Sequence, residues 1–79
     1  MGTLRQLEEI LRHTVEPFLC HRKEKRIAEY VSNAYLISIA FDDKGNITTL
    51  LLSGVTPTYK RHLWCDELKS MEELKKRIR

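Results

Sequence analysis

Cys20, His21, His62 and Cys65 are the residues of this chain best suited to metal or nucleophile chemistry, and their spacing decides what they can do. A zinc site usually draws its ligands from paired C-x₂₋₄-C and H-x₃₋₅-H segments, so that two ligands share one turn. Here Cys20 and His21 are adjacent, which sends their side chains apart in regular structure, and His62 with Cys65 makes a single mixed pair. No metal site is expected. A nucleophilic reading would take Cys65 as thiolate and His62 as its base, close together if the segment were a helical turn, with the thiol's pKa lowered near a helix start. No orienting third group and no glycine-rich oxyanion loop accompanies them.

The carboxylates point the same way. Asp42 and Asp43 fall in "DDKGN", a turn sequence in which such side chains bond local backbone N–H groups. Glu8 and Glu9 lie on the polar side of a helical stretch, and Arg12 follows Glu8 at the favourable four-residue spacing. No G-x-G-x-x-G, Walker or H-E-x-x-H pattern occurs. An enzyme is not expected, nor a cofactor or a small-molecule substrate.

Charge offers a different chemistry. Basic residues cluster at His21–Arg26, Lys60–His62 and Lys75–Arg79, with Tyr30, Tyr35, Tyr59 and Trp64 close by as stacking platforms. Arg22, Lys23, Lys25, Arg26, Lys60 and Arg61 would be the phosphate-binding residues of a nucleic-acid module. The structural alternative is that cations after a helix complement its dipole, as Lys75, Lys76 and Arg77 would in a last turn. Fourteen basic residues against eleven acidic ones leave a net charge of only +3, a mixed surface rather than a strongly basic one.

The elements that must position these groups follow from periodicity. "TLRQLEEILRHTVEPFL" opens with a capping box, Thr3 with Gln6, and places Leu4, Leu7, Ile10, Leu11, Val15 and Phe18 on one helical stripe. Pro17 ends or kinks that helix at Glu16. "RIAEYVSNAYLISIAFDDKGNITTLLLSG" predicts a three-stranded meander, with Gly45 taking the left-handed position of the "DDKGN" turn. "GVTPTYKRHLWC" reads as an irregular crossing segment, and Ser70 with Glu73 caps a short last helix carrying Met71, Leu74 and Ile78. The expectation is a single α+β domain over residues 1–79, α-β-β-β-α, its three-stranded antiparallel sheet packed by N- and C-terminal helices.

That order resembles the order of elements in double-stranded-RNA-binding domains and in small ribonuclease toxins. In the RNA-binding family a basic segment at the start of the last helix grips phosphates. The corresponding place here reads "SMEELKK", where Glu72 and Glu73 repel phosphate and satisfy the helix dipole themselves.

Facing Asp42 with Asn46 pairs Phe41 with Ile47, Ile39 with Thr49 and Ile37 with Leu51 on one sheet face. Leu36, Leu50 and Leu52 then fall on the other. Two arrangements satisfy so apolar a second face: the C-terminal helix covers it, or both helices share the first face and the leucines meet a partner or a second copy. A 79-residue chain buries a limited core, so pairing would help it. No run reaches the length of a membrane span and no leading signal pattern is present. A cytoplasmic protein with reduced Cys20 and Cys65 is expected.

These observations favour a small non-enzymatic regulatory or inhibitory protein acting through contact with a protein partner or as a homodimer. Leu36, Leu50, Leu52, Tyr59, Arg61 and Trp64 are its contact residues. The alternative is RNA or DNA binding through the clusters at 21–26 and 60–62.

Overall fold

A computed structural model describes residues 1–56 and 61–78. Along them run α1 (Leu4–Leu11), β1 (Leu19–Lys23), β2 (Ile27–Val31), β3 (Tyr35–Phe41), β4 (Ile47–Val55), β5 (His62–Glu67) and α2 (Met71–Ile78). The strands form one five-stranded antiparallel sheet in chain order, β1-β2-β3-β4-β5. The domain is α+β, but its meander has five strands rather than three. β1 takes up the start of "HRKEKR", and β5 takes up much of the segment expected to be irregular.

Local chemistry sets the ends of the elements. Thr3 and Gln6 form the reciprocal capping box of α1. That helix stops at Leu11, well before Pro17, where the Thr14 hydroxyl lies between the Leu11 and Glu16 carbonyls, its one proton shared between them, and holds a turn. Val15, expected on the apolar stripe, is accordingly 88% exposed. Gly45 has φ +85°, and the Asp42 carboxylate accepts from the N–H groups of Lys44 and Asn46. At α2 the Ser70 hydroxyl accepts from the Glu73 N–H, and Glu73 reaches back to the Lys69 N–H.

Register places the core. Phe41 pairs with Ile47 as the turn dictates, but Thr48 is an extra residue, so Ala40 pairs with Thr49, Ile39 with Leu50 and Ile37 with Leu52. The Thr48 hydroxyl donates to the Ala40 carbonyl at this bulge, at 3.2 Å. One inserted residue turns every side chain beyond it to the opposite face. Leu50 and Leu52 therefore lie fully buried among Leu7, Leu11, Leu74 and Ile78. They are core residues, not members of the second face, which corrects the contact set expected from the unbulged register. At the β2–β3 turn Val31 pairs with Leu36, and the Ser32 N–H donates to the Tyr35 carbonyl.

One buried cluster collects α1, α2 and the inward residues of β2, β3 and β4, so both helices share a single sheet face. On the other face, directly opposed residues form three rows across the strands. The first is Leu19, Val31, Leu36, Ser53 and Cys65; the second is Arg22, Glu29, Ser38, Leu51 and Glu67; the third is Ile27, Ala40 and Thr49. No described element packs across them. No helix among the described residues is long and apolar enough to cross a membrane.

Candidate functional site

The residues read as a phosphate grip are largely committed within the domain. Arg22 pairs with Glu24 at 2.9 Å, Lys23 with Glu8 at 3.2 Å and Arg26 with Asp43 at 3.7 Å. The Arg22 bond lies within the β1–β2 hairpin, and its hydrogen bond and charge hold the Glu24 carboxyl below the usual range. Lys25 alone of the four has no ion pair among the described residues. Arg61 lies immediately before β5, bonded to Thr56 through its backbone, at the far edge of the sheet from β1. Tyr59 and Lys60 lie outside the described residues.

The Lys23 contact belongs to a small network that ties α1 to the sheet. Glu8 Oε2 accepts from the Tyr30 hydroxyl at 2.9 Å as well as from Lys23. Burial by itself would raise the Glu8 carboxyl, but the bonds from Tyr30 and Lys23 and the nearby charges of Lys23 and Arg12 outweigh it, and its pKa falls. Burial pushes the Tyr30 phenol well above its ordinary value, and its bond to Glu8 adds to the shift. A depression of about 430 Å³ beside this pair is walled by Leu11, Val15, Phe18 and Cys20.

The candidates for metal or thiol chemistry do not assemble. Cys20 and Cys65 are free, exposed thiols on opposite edge strands. His62 and Cys65 lie on a bulged strand rather than a helical turn, so the near-helix environment supposed for the thiol does not exist. Among the described residues, no three His, Cys, Asp or Glu side chains gather closely enough to hold a metal ion. The sheet curls enough for His21 and His62 to line one depression of about 270 Å³ on the helix-free face, together with Glu29, Val31, Leu36 and Val55. Leu36 thus keeps its expected face, in a concave setting.

The most unusual surface is the β5 edge. All six of its residues are exposed, with Leu63 at 62% and Trp64 at 38%. The Leu68 N–H donates to the Leu50 carbonyl, and Asp66 and Trp64 pair with Leu52 and Gly54. Antiparallel alternation then directs the backbone N–H and C=O of Cys65 and Glu67 away from β4, toward the open side. Trp64 leans the other way. Its indole lies on the Gly54 backbone, where a Cβ would sit well inside van der Waals contact. Tyr35 meets it edge-on at 6.2 Å and Arg77 covers it at 5.1 Å, held by an ion pair of 2.9 Å to Asp66.

Of the residues expected at a contact surface, Arg61 and Trp64 fall together on this edge; Leu36 does not, and Leu50 and Leu52 are buried. Leu63, Cys65 and Glu67 were missed. The signal that could have found them is the charge order of "RHLWCDE", basic at one end, apolar in the middle and acidic at the other.

The fold and surface define a small α+β domain, a five-stranded antiparallel meander backed on one face by two terminal helices. No protein-family model matches the chain, and no match was found among curated proteins or solved structures.

Proposed function

We propose that this is a small non-enzymatic regulatory or inhibitory protein that acts by protein–protein contact, and that the β5 edge is where the contact is made. One observation carries the reading: a terminal strand presents an exposed Leu63 and outward backbone groups with no neighbouring strand among the described residues. Such an edge is a template for strand addition, in which main-chain hydrogen bonds supply affinity and side chains supply selection. The opposite edge differs. β1 carries Arg22 and Lys23, and charges on an edge discourage pairing.

Selection of displayed random peptides on the immobilised protein tests the reading. The expected result is enrichment of extended peptides that bind wild type and lose binding to Cys65→Pro, a change that removes an outward edge N–H at an exposed position. Peptides that bind Cys65→Pro as well as wild type would overturn the edge as the contact site, as would a selection that enriches none.

A further inference from the structure

We infer that the β5 edge takes an extended segment of a partner protein, in which a basic residue sits opposite Glu67 and an apolar residue opposite Cys65. The inference rests on the proposed contact function of that edge and names the chemistry of its occupant.

The backbone fixes where the segment can bond. Trp64, Asp66 and Leu68 direct their N–H and C=O groups to Gly54, Leu52 and Leu50, which leaves those of Cys65 and Glu67 pointing outward. The bulge at Leu63 breaks the regular ladder on one side and the strand ends at Glu67 on the other, so the open ladder is short. Antiparallel addition is the more stable pairing. It sets one residue of the segment directly opposite Cys65 and another, two places earlier, opposite Glu67.

The rows behind these two residues decide which side chains belong there. The Cys65 row continues through Ser53 to Leu36 and Val31 on the helix-free face, and an apolar side chain opposite Cys65 extends it. Glu67 follows Ser38 and Leu51 in the next row. Its side chain is exposed and has no ion-pair partner among the described residues, so a lysine or arginine opposite it completes a cross-strand pair of opposite charge. Asp66 differs. Its side chain lies on the other face and is already held by Arg77 at 2.9 Å, so the residue between the two fixed positions is free to vary. The β1 edge disfavours the same segment, because it carries Arg22 and Lys23 and no carboxylate of its own. Charge thus selects the edge as well as the partner.

The test is parallel selection of displayed random peptides on wild type and on Glu67→Lys, an exposed change that removes no described bond. Wild type should enrich extended peptides with Lys or Arg two places before an apolar residue. Glu67→Lys should enrich Asp or Glu at that same place. A synthetic copy of a peptide selected on wild type, its basic residue changed to Glu, should bind wild type about tenfold more weakly in fluorescence anisotropy at low salt, the swing from an attractive to a like-charge cross-strand pair. Glu67→Lys should recover most of that loss, and Glu67→Gln should fall between. Two selections that yield peptides of the same charge, or an exchange that recovers nothing, overturn the inference. If such peptides still lose binding to Cys65→Pro, the edge remains the contact site and only the partner's chemistry is lost. If none is enriched, or Cys65→Pro binds them as well as wild type does, both readings fall.

Discussion

The Tyr30 hydroxyl donates to the Glu8 carboxylate at 2.9 Å, fastening α1 to the second strand of the sheet from a phenol only 4% exposed. Together with the Lys23 bond to the same carboxylate it ties α1 to the sheet, and the pKa values of its two ends shift in opposite directions.

Tyr30→Phe should therefore lower stability by about 1 kcal/mol at neutral pH, because it leaves a half-buried carboxylate short of a donor. The pH profile carries the sign. Glu8 is depressed below 4.5 in the folded state, so its contribution is present above that value and lost as pH falls through the folded pKa. Tyr30 is raised above 10.0, so its contribution is present below that value and lost as pH rises beyond it. Thermal melts across pH should show a shallower acid loss in Tyr30→Phe and no alkaline loss from this site.

Gly54→Ala should cost about 1–3 kcal/mol, the usual penalty for overpacking, because the new methyl occupies space the Trp64 indole fills. As Trp64 is the only tryptophan, its emission reports the displacement directly and should shift to the red. Trp64→Ala should be destabilising alone, and in the double variant the two losses should add to less than their sum. Additive losses would mean that the indole does not depend on the glycine.

Leu50→Ala and Leu36→Ala separate the two sheet faces. Leu50 is fully buried under both helices, and its truncation should cost about 2–5 kcal/mol in a urea melt. Leu36 lies on the helix-free face, and the same change there should cost much less. Equal losses would mean that the bulge at Thr48 does not set the register.

Labelled RNA and DNA, duplex and single-stranded, should show no steeply salt-dependent binding in fluorescence anisotropy, since Arg22, Lys23 and Arg26 already face carboxylates. Tight low-salt binding that Arg22→Glu with Lys23→Glu abolishes would instead favour the nucleic-acid reading.

The parts of the fold that were legible in the sequence are those written in local pattern. Thr3 with Gln6 announces α1, the strict alternation of "YLISIAF" announces β3, and "DDKGN" announces the turn that sets Phe41 against Ile47. What escaped depends on pairing. "LCHRK" and "HLWCDE" have little intrinsic strand preference and become strands because β2 and β4 offer them edges. The bulge at Thr48 escaped because "ITTLLL" fits either register, with a leucine available to the core in both, and only the packed helices choose between them. The candidate site fared worse for the same reason: an edge is a property of the assembled sheet, and no short stretch reveals that it will be the last strand.

Because the strands lie in the sheet in the order of synthesis, every ladder joins neighbours in the chain, and such low-separation topologies fold quickly. The exception is the start of the chain, where the Ile47 N–H donates to the Gly2 carbonyl and the Leu4 N–H to Gly45, across more than half the domain. That clasp closes a long loop, so it should form late, after the β3–β4 hairpin is in place. Substitutions at Gly2 or Thr3 would then leave the refolding rate nearly unchanged and appear as faster unfolding, making the N-terminal segment the latch that governs how long the folded state persists.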